Sequence, residues 1–198
     1  MTNLISRAKD IMFSPKTEWL HIEEENSSHA KVFMSYLLPL ALIPTVAAFI
    51  GYGLIGYKGP FGIHIHSIEW GVRQAIIQFI SMAGGAYLTA IIINLLAGTF
   101  NSRTDFNKAF SLVAYSYTPM MLGGIFYIYP TLSWLASLLG IYGLYLLFIG
   151  LTPMMQTPTE KRGGYFVVSL ICMVAVAIVL SLILTAILIS SAYKILMY

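Results

Sequence analysis

Two histidines in one short segment are the first residues whose type and spacing could bind a metal ion. His64 and His66 lie two residues apart in the alternating stretch that starts at Ile63. On an extended chain both imidazoles would point to the same side, and imidazole is a common zinc ligand. Glu69 is the only carboxylate nearby, and the single cysteine, Cys172, is far away in sequence. Because such a ligand set is too small for a metal centre, we expect ordinary exposed histidines and no cofactor.

Uncharged polar side chains inside long apolar segments form a second group. Gln74 and Gln78 lie one helical turn apart, and Asn94 follows in the same segment. In lipid, such amides most often bond to neighbouring helices, and a polar path for a neutral solute or a lipid headgroup is the alternative. Pro119 removes a helical hydrogen bond, so the carbonyl of Tyr115, four residues earlier, needs another partner.

The same apolar segments contain no Asp, Glu, Lys, Arg or His once their ends are excluded. A charged group at the centre of a span costs about 3 kcal/mol on insertion scales, so membranes retain it mainly where a proton, an ion or a substrate is handled. No HExxH, GxSxG or P-loop pattern occurs. We therefore predict that the protein is not an enzyme and that its interior holds no titratable side chain.

Composition places these segments in a bilayer. Of the 198 residues, 58% are hydrophobic and 10% are charged, whereas a soluble domain carries about 25% charged residues. The net charge of +3 is scattered between apolar runs, so we expect no nucleic-acid partner. Five runs are long enough to cross about 30 Å of hydrocarbon as helices, and they predict an all-α bundle of five transmembrane helices: Val32–Tyr57, Gly71–Ala97, Phe110–Tyr129, Leu132–Leu151 and Tyr165–Ile189.

The distribution of Lys and Arg predicts the orientation of this bundle. One side of the membrane receives eight of these residues and the other side receives only Lys58, Arg73 and Lys194. Because cytoplasmic loops carry the excess of positive charge, the amino terminus is expected in the cytoplasm and the carboxyl terminus outside.

Residues 1–31, before the first span, are predicted to be a cytoplasmic, amphipathic or interfacial segment. Apolar residues recur at helical spacing from Leu4 to Met12, which is typical of a short helix lying on the membrane surface. Ser14 and Pro15 indicate an N-cap and the first residue of a new turn. The following stretch, with Trp19 and three consecutive glutamates, is expected to be a solvated linker with an aromatic anchor.

The last helix has a start signal of its own. Thr157, Pro158, Thr159 and Glu160 fit a capping box with proline at the first helical position. The helix is therefore predicted to begin at this point, which places Lys161 at headgroup level.

Four short motifs, in this order along the chain, carry a resemblance. They are Pro15-Lys16-Thr17-Glu18-Trp19, Ala114-Tyr115-Ser116-Tyr117-Thr118-Pro119, Gly140-Ile141-Tyr142-Gly143-Leu144-Tyr145 and Thr157-Pro158-Thr159-Glu160-Lys161. Together they resemble the Yip family of five-span Ypt/Rab-interacting membrane proteins, over nearly the whole chain. The resemblance implies five helices and a cytoplasmic amino terminus. Within the motifs that carry it, we take six residues as candidate functional positions: Pro15, Trp19, Tyr115, Pro119, Glu160 and Lys161.

The eukaryotic members of that family are associated with small Rab-type GTPases and with membrane budding and fusion. They carry a longer cytosolic amino-terminal region, which this chain lacks. This departure implies a bacterial relative in the inner membrane, and it counts against a GTPase partner.

We therefore expect a non-enzymatic integral membrane protein that organises or scaffolds membrane proteins or lipids. Its partners would be the bilayer and a membrane or cytoplasmic protein, and self-association into a homo-oligomer stays open. The alternative is a passive channel, small-solute permease or lipid-translocating protein built around Gln74, Gln78, Asn94 and the bend at Pro119.

Overall fold

Seven helices and one short pair of strands form the described chain in the computed structural model, which covers residues 3–58 and 64–196. Several of the long helices contain a π or 3-10 segment, and each continuous helix carries a single number. The helices are α1 (Leu4–Phe13), α2 (Pro15–Glu24), α3 (His29–Ile55), α4 (Ile68–Phe100), α5 (Phe106–Ile128), α6 (Pro130–Met155) and α7 (Thr159–Leu196), and the strands are β1 (Tyr57–Lys58) and β2 (His64–Ile65).

Five of these helices, α3 to α7, are long and apolar enough to cross a membrane. This confirms the predicted all-α bundle and the number of its long helices. All five helices begin two to six residues before the predicted apolar runs, and in α3 and α5 a capping side chain outside the run starts the helix. At the start of α5, for example, the Asp105 carboxylate accepts hydrogen bonds from the backbone N–H groups of Asn107, at 3.0 Å, and Lys108, at 3.2 Å.

The central helix of the bundle is α5. It packs against α3, α4 and α6, while α7 lies at the periphery against α4 and α6. The most apolar window of α5 is 72% buried, compared with 11% for α7. Its mean hydropathy of 1.2 is also the lowest among the five, the others lying at 1.9 to 2.5. A helix surrounded by protein can retain polar side chains that a lipid-facing helix cannot.

α3 contains two prolines, Pro39 and Pro44, and two π-helical segments, Phe33–Leu37 and Phe49–Ile55. A π-helical segment, Phe33–Leu37, precedes Pro39, and there the N–H of Leu38 donates to the carbonyl of Phe33, five residues earlier. Pro44 packs directly on Gly124 of α5, where a Cβ atom would overlap the proline ring. The prolines therefore shape the face that α3 presents to the central helix.

A minimal antiparallel pair joins the regions that follow α3 and precede α4. Tyr57 pairs with Ile65 and Lys58 with His64, so the chain is extended at His64 and Ile65. His66 is exposed, and the side chain of His64 lies outside the described residues. In the described part of the chain no group of three His, Cys, Asp or Glu side chains could hold a metal ion.

The amino-terminal segment differs from its prediction. Instead of a surface helix and a solvated linker, α1 and α2 form a hairpin that packs against α5 and α6. Its buried residues include Ala8 and Ile11 on α1 and Trp19 and Ile22 on α2. Each helix has a narrow buried stripe, and the two stripes become part of one core with the long helices.

The start of α7 was predicted correctly, but the capping box was wrong. The helix begins at Thr159, and the carbonyl of Pro158 accepts the N–H of Lys161 at 3.0 Å. The Thr157 hydroxyl instead donates to the carbonyl of Leu151 at 3.0 Å and accepts from Ser102 at 2.9 Å. Thr157 therefore ties the α6–α7 connection to the end of α6.

Candidate functional site

The side chain of Trp19 fixes the hairpin to the bundle. It is fully buried, and its ring lies edge-on to Tyr115 with a centroid distance of 6.3 Å. The indole packs on Gly150 of α6, where an added Cβ atom would lie 2.7 Å from the ring and 2.5 Å from Leu112. Only a glycine at position 150 leaves room for the indole, so Trp19 and Gly150 form one packing unit.

A second contact shows how deeply the hairpin enters. The hydroxyl of Tyr142 donates to the backbone carbonyl of Met12 at 2.7 Å. Tyr142 lies thirteen residues before Met155, the last residue of α6, which corresponds to about 20 Å at about 1.5 Å per residue. The turn between α1 and α2 therefore lies near the middle of α6.

An ion cluster lies between the two helices of the hairpin. The Arg7 guanidinium donates to the carboxylates of Glu18 and Glu25, and the Arg7 and Glu18 residues are 4% and 5% exposed. Arg7 also lies over the ring of Tyr115, 5.8 Å from its centroid. Burial acts to lower the pKa of Arg7, but Glu18 and its other neighbours raise that pKa above its ordinary value, so Arg7 stays charged.

This cluster corrects the prediction that the interior holds no titratable side chain. The long helices do lack such groups at their centres, but the amino-terminal segment folds into the bundle and supplies them. Removing one member of a buried ion pair leaves an uncompensated charge. Arg7 and Glu18 therefore stabilise the docked hairpin only as a pair.

Lys108 and Glu23 form a charged contact that joins α2 to α5. The ammonium of Lys108, which is 3% exposed, donates to the backbone carbonyl of Glu23 and lies 3.8 Å from its carboxylate. Arg103 approaches the same carboxylate at 3.4 Å and bonds to Asp105 at 3.1 Å. The carboxyl end of α2 is thus held at the end of the bundle that carries Lys31, Arg103, Lys108, Lys161 and Arg162, which we call the basic end.

The bend at Pro119 has the partner that the sequence required. The Thr118 hydroxyl donates to the freed carbonyl of Tyr115 at 2.7 Å. The hydroxyl of Tyr36 lies 2.7 Å from the same Thr118 oxygen, and since the Thr118 proton is already used, Tyr36 is the donor. The pair satisfies the bend and links α3 to α5.

A cleft of about 370 Å³ opens beside the ion cluster, and we call it the N-terminal cleft. Its polar lining residues are Arg7 and Glu25 from the hairpin, Ser27 from the loop after it, Lys31, Ser35 and Tyr36 from α3, and Tyr115 from α5. It combines charges of both signs with hydroxyl groups.

A second cleft, of about 310 Å³, lies near the opposite end of the bundle. It brings Gln74 and Gln78 together with Tyr127, Ser133 and Ser137, and we call it the glutamine cleft. Asn94 does not join them, because it lies sixteen residues beyond Gln78 on α4, or about 24 Å along the helix. The Asn94 carbonyl oxygen is buried and has no hydrogen-bond partner among the described residues.

The remaining candidate positions are spread over the surface. Pro15 is the first residue of α2, at the half-buried turn of the hairpin. Glu160 and Lys161 are exposed at the start of α7. Of the six candidate positions in the motifs, the structure therefore brings together Trp19, Tyr115 and Pro119.

Sequence reasoning missed the charged residues of the hairpin, although a signal was present. Arg7 lies in the helical series 4, 7, 8, 11 and Glu18 in the series 15, 18, 19, 22, and the other members of both series are mostly apolar. A single charge of opposite sign within each of two neighbouring apolar stripes predicts that the stripes face each other.

Comparison with known proteins agrees with this architecture. A Yip1 domain matches residues 9–195. The chain is similar to the inner membrane protein YohC of two Escherichia coli strains, K12 and CFT073, each 28% identical over 186 residues, covering 91% of this chain and 94% of the relative. No solved structure matches the chain. With five helices suited to span a bilayer and a family match over nearly its whole length, the chain is a multi-pass integral membrane protein that belongs to the Yip1 domain family.

Proposed function

We propose that this protein is a non-enzymatic organiser of the inner membrane, which gathers other membrane proteins through the outward face of its amino-terminal hairpin. In this proposal the basic end of the bundle faces the cytoplasm, as the excess of Lys and Arg there favours. The hairpin reaches from that end to the middle of the bundle. The match to inner membrane proteins supports the location.

The observation that carries the proposal is that the hairpin is anchored on one face and free on the other. Its inner face holds Trp19 and the ion cluster. On its outer face, two rows with a spacing of four residues are exposed, namely Ile5, Lys9 and Phe13 on α1 and Lys16, Leu20 and Glu24 on α2. Residues four apart lie on one side of a helix.

The exposed apolar members of these rows are large. Ile5 is 74% exposed, Phe13 79% and Leu20 56%. With Lys9, Lys16 and Glu24 between them, they form a mixed surface that extends from the middle of the bundle to its basic end. Such a surface suits the membrane-embedded part of another protein, which can supply both apolar area and charged partners.

Photo-crosslinking in intact membranes, with the photoreactive residue at Lys9, tests this proposal. Deleting the hairpin would remove Trp19 from the core, so surface variants are used instead. We expect discrete crosslinked proteins, and we expect the variant Ile5→Ser, Phe13→Ser, Leu20→Ser to lose them while its thermal unfolding temperature stays within a few degrees of wild type.

A matched control changes three apolar residues on α7 that are each more than half exposed. The variant Val167→Ser, Ile171→Ser, Val174→Ser should keep the crosslinks, since these residues lie outside the hairpin face. Crosslinks that survive the hairpin substitutions, or that both variants lose equally, would refute the hairpin as the docking element.

The glutamine cleft favours a second candidate function, a passive path for a neutral polar solute. Gln74, Gln78, Tyr127, Ser133 and Ser137 offer amide and hydroxyl groups without a charge, which suits an uncharged ligand. This candidate is weaker, because packed side chains lie between the two clefts. Thr118 and Met121 of α5, which lie there, are fully buried.

A further inference from the structure

The N-terminal cleft contains polar groups that the fold itself does not use. Lys31 is exposed at the start of α3, and its ammonium forms no ion pair within the described residues. The Tyr115 hydroxyl lies on a residue that is 5% exposed, and it too makes no hydrogen bond in the described chain. Ser27 adds a second hydroxyl group to the lining. These donors could bind the oxygen atoms of a phosphate group.

The lining of the cleft also includes a negative charge, Glu25. Glu25 uses one carboxylate oxygen for Arg7, and its side chain is 39% exposed. Since Glu18 already pairs with Arg7, the charges left for a ligand are the cation of Lys31 and part of the anion of Glu25. A ligand that matches both carries a phosphate and an ammonium group, whereas a purely anionic ligand would be repelled by Glu25.

The same face of α3 changes from polar to apolar further along the helix. Lys31 and Ser35 line the N-terminal cleft. Four residues after Ser35, Pro39 begins an apolar groove of about 350 Å³, which continues along Ile43, Val46 and Ile50. Residues spaced by three or four lie on one side of a helix, so the cleft and the groove follow each other on one surface.

The distance between cleft and groove suits an amphiphilic molecule. Pro39 lies eight residues beyond Lys31, or about 12 Å along α3. Lys31 is the third residue of a helix that is suited to span the membrane, which places the cleft at headgroup level and the groove at the level of acyl chains.

We propose that the N-terminal cleft binds the headgroup of a zwitterionic phospholipid with a primary ammonium, and that the groove on α3 takes one of its acyl chains. Lys31 and the hydroxyl groups of Ser27 and Tyr115 bind the phosphate, and Glu25 accepts a hydrogen bond from the ammonium. A quaternary ammonium has no N–H to donate to Glu25, so phosphatidylcholine binds less well. This site goes beyond the proposed function, and it uses residues that are not part of the hairpin's outer face.

Native mass spectrometry of the purified, detergent-solubilised protein tests this site. The probes are phosphatidylethanolamine, phosphatidylcholine and phosphatidylglycerol with identical acyl chains, and glycerophosphoethanolamine as the headgroup without chains. We expect phosphatidylethanolamine to bind about tenfold more tightly than phosphatidylcholine, because one charge-assisted hydrogen bond is gained. Glycerophosphoethanolamine should bind far more weakly, since it cannot fill the groove.

Two variants and two matched controls assign the effect to the cleft. Lys31→Gln should weaken the binding of both phosphatidylethanolamine and phosphatidylcholine, and Glu25→Gln should reduce the difference between them. Lys16→Gln and Glu24→Gln, at exposed positions on the outer face of α2, should leave binding as in wild type.

Other outcomes would overturn the site. Equal binding of the three lipids would exclude recognition of the ammonium, and it can be measured on the wild-type protein alone. Glycerophosphoethanolamine binding as tightly as the lipid would point to a soluble ligand instead. Lys31→Gln behaving like Lys16→Gln would remove the cleft from the binding site.

Discussion

At the scale of single residues, helix bends and buried charges follow one rule: each polar group taken out of water or lipid needs a specific partner. Pro119 frees the carbonyl of Tyr115, and Thr118 supplies the hydrogen bond. Arg7 is buried only together with Glu18. In both cases the partner is a side chain and not a backbone group of the helix. Removing that side chain therefore leaves a buried polar group unsatisfied and destabilises the helix.

Thr118→Val tests this rule at the bend of α5. The substitution keeps the shape of the side chain but leaves the Tyr115 carbonyl and the Tyr36 hydroxyl without a partner. We expect a loss of about 1–3 kcal/mol of unfolding free energy, seen as a lower thermal unfolding temperature in detergent. Thr118→Ser keeps the hydroxyl and should lose less than half as much; equal losses in the two variants would contradict the hydrogen-bond explanation.

At the scale of elements, the docking of α1 and α2 depends on close approach to α6. The Trp19 indole packs where Gly150 has no side chain, and Tyr142 bonds to the turn of the hairpin. Glu23 at the other end of α2 binds Lys108 of α5. The hairpin is thus held near its tip, its middle and its base.

Gly150→Ala should release the hairpin while Gly84→Ala should not. The new methyl group on residue 150 meets the rigid indole and Leu112, and such overpacking costs about 1–3 kcal/mol. Nothing lies within 4 Å of the corresponding atom at Gly84, where alanine should stabilise the helix by up to about 1 kcal/mol. Limited trypsin digestion at Lys16 measures the release, and equal cleavage of both variants would show that packing on Gly150 does not hold the hairpin.

At the scale of the whole molecule, two separate clefts lie near opposite ends of a packed bundle. Tyr115 lines the N-terminal cleft and Tyr127 lines the glutamine cleft. Between them on α5, Ser116, Thr118 and Met121 are buried. Leu37 of α3 and Ala86 and Ala90 of α4 are fully buried as well, so packed side chains separate the two clefts.

Purified protein in liposomes should therefore not conduct neutral solutes. We expect the release of entrapped glycerol to match that of protein-free vesicles, because a polar solute would have to pass the buried side chains between the clefts at a cost of several kcal/mol. Gln78→Leu is the control variant. A leak in the wild-type protein that disappears in Gln78→Leu would contradict the organiser function and support the passive path through the glutamine cleft.

Sequence alone determined the features that depend on whether a segment lies in lipid or in water. Continuous apolar runs require helices in lipid, so the number of long helices and the all-α class followed directly. The bend at Pro119 followed from proline chemistry, and the start of α7 followed from the proline at position 158, although the capping box itself was wrong. The last two features each arise within about four residues of chain.

Only the tertiary structure decided what the amino-terminal segment does. A stripe such as Ala8 and Ile11 covers apolar surface equally well on a membrane or on another helix, and local periodicity does not distinguish the two. The choice came from contacts between distant residues: the space at Gly150 for Trp19, the pairing of Arg7 with Glu18, and the bond from Tyr142 to Met12. Such contacts depend on where the chain returns in space, and for this reason the buried charges and both clefts became visible only in the folded molecule.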